Sequence, residues 1–175
     1  KSTAAHINVA LSHNIGMQNL QEGIKKIKSV LSSADVITYE FSSSHGKKFA
    51  LVYVDGLVDK LQLGELVVKP LSAAPQDCSI ADVRAMLASP EVKEAGDAEG
   101  AIDEISYGSA VLLADGEDGY LSIGLTKPPA RAITEPPTQV VVKGPREGFV
   151  EDLKINCALV RKRLRSPALR LDTIR

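Results

Sequence analysis

The chain has 175 residues, 44% apolar and 25% charged, a composition that suits one globular domain or two small ones. A formal net charge of −1 offers no electrostatic case for nucleic acid or an anionic membrane surface, and 4% aromatics without tryptophan weakens any reading built on stacking against bases or sugars. No run of 18 apolar residues occurs, so no stretch reads as a membrane-spanning helix.

In chain order, residues 1–17 are polar, rich in small residues and aperiodic, which predicts a mobile or appended segment. Leu20, Ile24, Ile27, Val30 and Leu31 recur at helical spacing with Lys25, Lys26 and Lys28 turned to solvent, an amphipathic helix. Val36 to Phe41 alternates and reads as a half-buried strand; after a hairpin loop at 42–48, the nearly continuous apolar run Phe49 to Val54 reads as an interior strand. Asp55-Gly56 turns the chain into a helix from Leu57, interrupted near Gly64 and stopped by Pro70. Ser79 with Asp82 three residues on predicts a capped helix to about Ala88, and Ser89-Pro90-Glu91 a second short one.

Residues 94–100 read as an acidic connector, and Ile105 to Ala114 and Tyr120 to Leu125 as strands around a solvated tip at Asp115-Gly116-Glu117-Asp118-Gly119. Four prolines between 127 and 137 demand extended, irregular chain, and Gln139 to Lys143 reads as a strand. Gly144-Pro145-Arg146-Glu147-Gly148-Phe149 then leads into a helix over Val150 to Arg165. Its expected buried stripe is Val150, Leu153, Cys157, Val160 and Leu164, with acids in the first turn and bases in the last. The pattern predicts an α/β protein of two small subdomains with mixed sheets, residues 18–95 and 96–175. The second reads as cut short, because a strand-like alternation is only beginning at Leu169 to Ile174.

Several chemical motifs fail on spacing. Gly46-Lys47 lacks the glycine five positions earlier and the following hydroxyl of a phosphate loop. The three histidines and two cysteines have no metal-ligand spacing, and no nucleophile elbow occurs. Gly144 and Gly148 beside a helix start suggest an anion cradle, but Glu151 and Asp152 would repel the anion. Asp55-Gly56 at the end of an apolar strand stands where open α/β sheets place ligands, and Asp59 follows one helical turn later. This pair defines an alternative reading as an enzyme with a carboxylate crevice, set against a helix-capping role for Asp55. The Arg161 to Arg165 run suits a helix C-terminus better than a nucleic-acid surface.

Two long blocks, GPREGFVEDLKINCALVRKRLR and FALVYVDGLVDKLQLGELVVKPL, strongly resemble the A subunit of bacterial spore germinant receptors, the GerA family, in its N-terminal portion. The segment Thr126 to Arg131 departs from the Gly-Trp-Pro element common in that family. The resemblance implies a non-enzymatic two-part α/β region followed by a membrane-spanning region, and the failed spacings above leave no cofactor or metal expected. It implies a place in the spore inner membrane beside B and C subunits, sensing or transmitting a nutrient such as an amino acid or sugar. The residues expected to bind a ligand or couple to the receptor are Asp55, Gly56 and Asp59 at the crevice, with Arg146, Glu147, Asn156 and Arg161 in the late loop and helix.

Overall fold

The computed structural model describes residues 20–126 and 149–172. α1 (Leu20–Val30) buries Leu20, Ile24 and Ile27 and leaves its lysines in water, as its periodicity predicts, but Val30 of the expected stripe is exposed. It leads to β1 (Val36–Ser42) and β2 (Lys48–Val54), an antiparallel hairpin in unbroken register from Val36 opposite Val54 to Ser42 opposite Lys48.

The next helical stretch starts later than expected. Asp59, not Asp55, is the cap of α2 (Lys60–Leu63), and its carboxylate accepts from the backbone N–H of Leu61 and Gln62. At Gly64 the helix widens into a π-helical turn, Gly64–Val68, and then resumes as α3 (Lys69–Leu71) with Pro70 inside it. Pro70 does not stop the helix, because its missing N–H falls where the wider turn already breaks the regular ladder.

α4 (Ile80–Met86) carries the expected capping box, Ser79 and Asp82 each bonding the other's backbone N–H. The helix expected at Ser89-Pro90-Glu91 is instead β3 (Val92–Glu94), paired with β5. A local cap signal yields here to the open edge of a sheet. The connector at 94–100 contains Asp97, which caps α5 (Ala98–Tyr107); α5 ends on Gly108 at φ 100°. β4 (Ala110–Ala114) is therefore shorter than the Ile105–Ala114 run suggested, and β5 (Leu121–Ile123) closes the hairpin. α6 (Leu153–Arg163) is the last element.

The five strands form one sheet in the order β1-β2-β4-β5-β3. Among the described residues every pairing is antiparallel rather than mixed, and the sheet runs across the 95/96 division. Short hairpin connections account for β1–β2 and β4–β5, since they return a strand beside its predecessor in the opposite direction; β2–β4 and β3–β5 are joined across longer connections. Helices cover both faces. Leu51, Leu112, Leu121 and Ile123 pack against the α2–α4 side; Val52, Val111 and Leu113 pack against α1 and α5. Both faces of β2 and β4 are buried, which explains their apolar runs. No described helix is long and apolar enough to cross a membrane.

Candidate functional site

The residues singled out in sequence separate into two groups, and α6 joins them. Asp152 caps this helix through the backbone N–H of Lys154 and Ile155. Asn156 reaches back to the entry: its Nδ2 donates to the Val150 carbonyl at 2.6 Å and its Oδ1 accepts from the Val150 N–H at 2.8 Å. Asn156 therefore fixes how the chain enters α6. Arg146 and Glu147 lie outside the described residues.

The buried face of α6 differs from the expected stripe. Leu153 and Leu164 are exposed, Cys157 and Val160 are half-buried, and the buried residues are Ala158, Leu159 and Arg161. Two contacts select that face. At Gly56, whose φ is 85°, an added Cβ would stand 3.2 Å from the Ala158 methyl, so only a small residue on each side allows the approach. One helical turn on, Arg161 is 1% exposed. Its Nε and Nη2 donate to the two oxygens of Asp35, both at 2.8 Å, a bidentate pair.

Ser33 completes the arrangement. Its hydroxyl donates to Asp35 Oδ1 at 2.5 Å and accepts from Arg161 Nη2 at 2.9 Å and the Leu171 N–H at 2.8 Å. That uses the one donor and both acceptor sites of a hydroxyl. The Ala34 N–H returns a bond to the Leu171 carbonyl at 2.9 Å. One turn, Ser33-Ala34-Asp35, thus grips both α6 and the chain that follows it. Burial alone would raise the Asp35 pKa; hydrogen bonds from Arg161 and Ser33, with the Arg161 charge, more than offset it and hold the carboxyl below its ordinary 3.8.

Asp55 and Asp59 are each occupied by internal partners. Asp55 pairs with Lys60 at 2.7 Å and with Lys154 of α6 at 3.6 Å. The Lys60 hydrogen bond lowers its pKa most; burial opposes this, and the charges of Lys60 and Lys154 assist. Asp59 serves the α2 cap. Asp55 is thus not the helix cap weighed for it, and its lowered pKa moves it away from proton transfer near neutral pH. A groove of about 360 Å³ lies beside Lys60, between Tyr39 and Tyr53 on one wall and Leu63, Gly64 and Val68 on the other.

The hairpin tip is also less solvated than expected. Lys47, nearly buried, donates to the Cys78 carbonyl at 2.9 Å and pairs with Glu117 at 3.3 Å, while Glu117 accepts from the Ile80 N–H. Among the described residues no group of three or more His, Cys, Asp or Glu side chains gathers to hold a metal ion. Asp35 and Ser33 went unremarked in sequence. The one usable signal was Arg161 sharing a helix face with Ala158, a long cation beside a small residue.

With this geometry in place, comparison with known proteins is informative. Residues 22–175 match the family described as Bacillus/Clostridium GerA spore germination protein. The chain belongs to the GerA spore germination family. It is 32% identical over 157 residues to spore germination protein B1 of Bacillus subtilis (strain 168), covering 86% of this chain and 32% of that protein. Spore germination protein KA of the same organism is 32% identical over 157 residues, covering 85% of this chain and 28% of that one. This GerA-family chain therefore spans about a third of the curated relatives it matches. Its fold matches the crystal structure of the N-terminal domain of the A subunit of the Bacillus megaterium spore germinant receptor GerK3. That match has a TM-score of 0.62 and 21% identity, covering 85% of this chain and 56% of the other.

Proposed function

We propose that this chain is the N-terminal domain of a germinant receptor A subunit and relays nutrient recognition instead of carrying out chemistry. The GerA-family match across residues 22–175 carries this reading. The domain works with B and C subunits in the spore inner membrane, where an amino acid or sugar triggers the assembled receptor. Its contribution is mechanical. A ligand shifts a protein only through different affinities for two states, so a relay needs an element that can stand in two poses. α6, held by a polar clasp rather than a broad apolar face, suits that role.

The enzyme alternative has less support. Asp55 and Asp59 are occupied by lysines and by a helix cap. The same observation favours transmission over direct nutrient binding at this pair.

Spores whose receptor carries Arg161→Met or Arg161→Lys test the relay. Arg161→Met is expected to abolish the nutrient response at normal receptor levels, with Arg161→Lys retaining part of it. A full response in Arg161→Met at wild-type levels would overturn the relay through α6. Ligand-observed NMR on this chain, with a panel of amino acids and sugars that trigger the receptor, separates the two roles. The relay predicts no saturation transfer; transfer from an effective nutrient would assign binding to this domain.

A further inference from the structure

The groove beside Lys60 has a floor that the fold itself does not require. Gly64 stands inside the helical run from Lys60 to Leu71 at φ −61° and ψ −50°, ordinary helical values that any residue adopts. Beyond its own turn, no atom lies within 4 Å of where its Cβ would be. Glycine inside a helix costs stability relative to alanine, and here neither backbone conformation nor packing demands it. What the missing side chain preserves is space in the groove, which Gly64 lines with Leu63 and Val68. The π-helical turn Gly64–Val68 forms that same wall, and such turns recur at functional sites.

The opposite wall supplies an independent sign of a ligand. Tyr53 is 6% exposed, yet its hydroxyl is not sealed in the core and has no hydrogen-bond partner among the described residues. Buried tyrosine hydroxyls ordinarily find one. Burial pushes the phenol above its ordinary 10.0 while the charge of Lys60 acts against the rise, so the two groups share one local field. The phenol is a protonated donor at neutral pH. Lys60 gives one of its three donors to Asp55 at 2.7 Å, which leaves two. Lys69 adds a second cation, and no carboxylate stands among the groove's walls.

We propose that this groove binds a small organic carboxylate, its anion between Lys60 and the Tyr53 hydroxyl and its flat or branched apolar body over Gly64. Tyr39, 46% exposed, offers a ring face to that body. The volume of about 360 Å³ falls within the range of small-ligand sites, about 300–1,000 Å³. An α-amino acid brings its ammonium beside Lys60 with no wall carboxylate to receive it, and a sugar meets mainly apolar walls. The groove thus selects against both classes, and the inference does not rest on the relay through α6.

Backbone amide shifts of the isotope-labelled 175-residue chain, titrated with sodium benzoate, test this. The shifts are expected to cluster at Tyr53, Lys60 and Gly64 and to saturate with a Kd of about 1 mM. Benzamide, the neutral isostere, is expected to bind at least about tenfold more weakly. Tyr53→Phe removes only an unpartnered hydroxyl, so it should melt as wild type and bind benzoate at least about threefold more weakly. Gly64→Leu fills the groove from a helical position with room for a side chain. It should keep its circular dichroism and show no saturable shift. The relay is judged separately, by Arg161→Met in spores, so each can fail without the other. No clustered shift at about 50 mM benzoate, equal binding of benzamide, or wild-type affinity in Gly64→Leu or Tyr53→Phe would each overturn the proposal.

Discussion

The centre of the sheet and helix α6 are held by different physics. β2 and β4 bury both faces in apolar contact, and the stabilisation is non-directional, about 1.5–3 kcal/mol for each fully buried large side chain. α6 buries little apolar surface. It is held chiefly by the Gly56–Ala158 approach and the Arg161–Asp35–Ser33 clasp, with the buried Leu159 and the Lys154–Asp55 pair beside them. A buried ion pair adds little net stability over a well-packed apolar substitute, but losing one partner is costly. The comparison teaches that the sheet should unfold cooperatively as a whole, whereas α6 should be released separately, before it.

The largest expected effect is on the sheet. Leu112→Ala, at a fully buried position, should cost about 2–5 kcal/mol. Thermal melting followed by circular dichroism should fall as one cooperative transition; retention of the wild-type midpoint would contradict the account of the core. Acid comes next and acts on the clasp. Asp35 titrates below its ordinary 3.8 in the folded protein. Its contribution is therefore fully present above that value and fades as pH falls through the lower folded-state value. Proteolysis within α6 should rise in that window while the sheet retains its circular dichroism, and in Asp35→Asn this acid step should be absent.

Gly56→Ala should cost about 1–2 kcal/mol, from the left-handed φ and the contact with Ala158. A companion Ala158→Gly should relieve only the contact, leaving the backbone part, as a double-mutant cycle would show. Smallest is Lys60→Met, whose partly exposed pair with Asp55 is worth less than about 1 kcal/mol. A larger loss in chemical denaturation would mean that the Lys60–Asp55 pair is worth more than a partly exposed ion pair.

The same contrast governs what could be read in the sequence. α1, β1, β2 and the Ser79 cap were legible because each is written locally, in a period or a capping pair. β3 was missed because Ser89-Pro90-Glu91 looks locally like a helix start, while its conformation is set by pairing with β5 some 30 residues away, Val92 opposite Ile123. The end of α5 was hidden inside an apolar run that continues into β4, where hydrophobicity alone cannot separate helix from strand.

The candidate site was legible only in part. Sequence picked out Arg161 and Asn156 on the right helix but placed the buried stripe on the wrong face. That face follows from Asp35, 126 residues away, and no helical period records so distant a partner. The Asp55 and Asp59 crevice was inferred from a rule for strand ends, whereas the carboxylates serve an ion pair and a cap.

Amide hydrogen exchange in Arg161→Met, residue by residue against wild type, tests the clasp most directly. Protection over residues 153–163 should collapse while β2 and β4 exchange as before. Unchanged protection in α6, or an equal loss throughout the sheet, would contradict the claim that one buried guanidinium holds this helix as a separately releasable element.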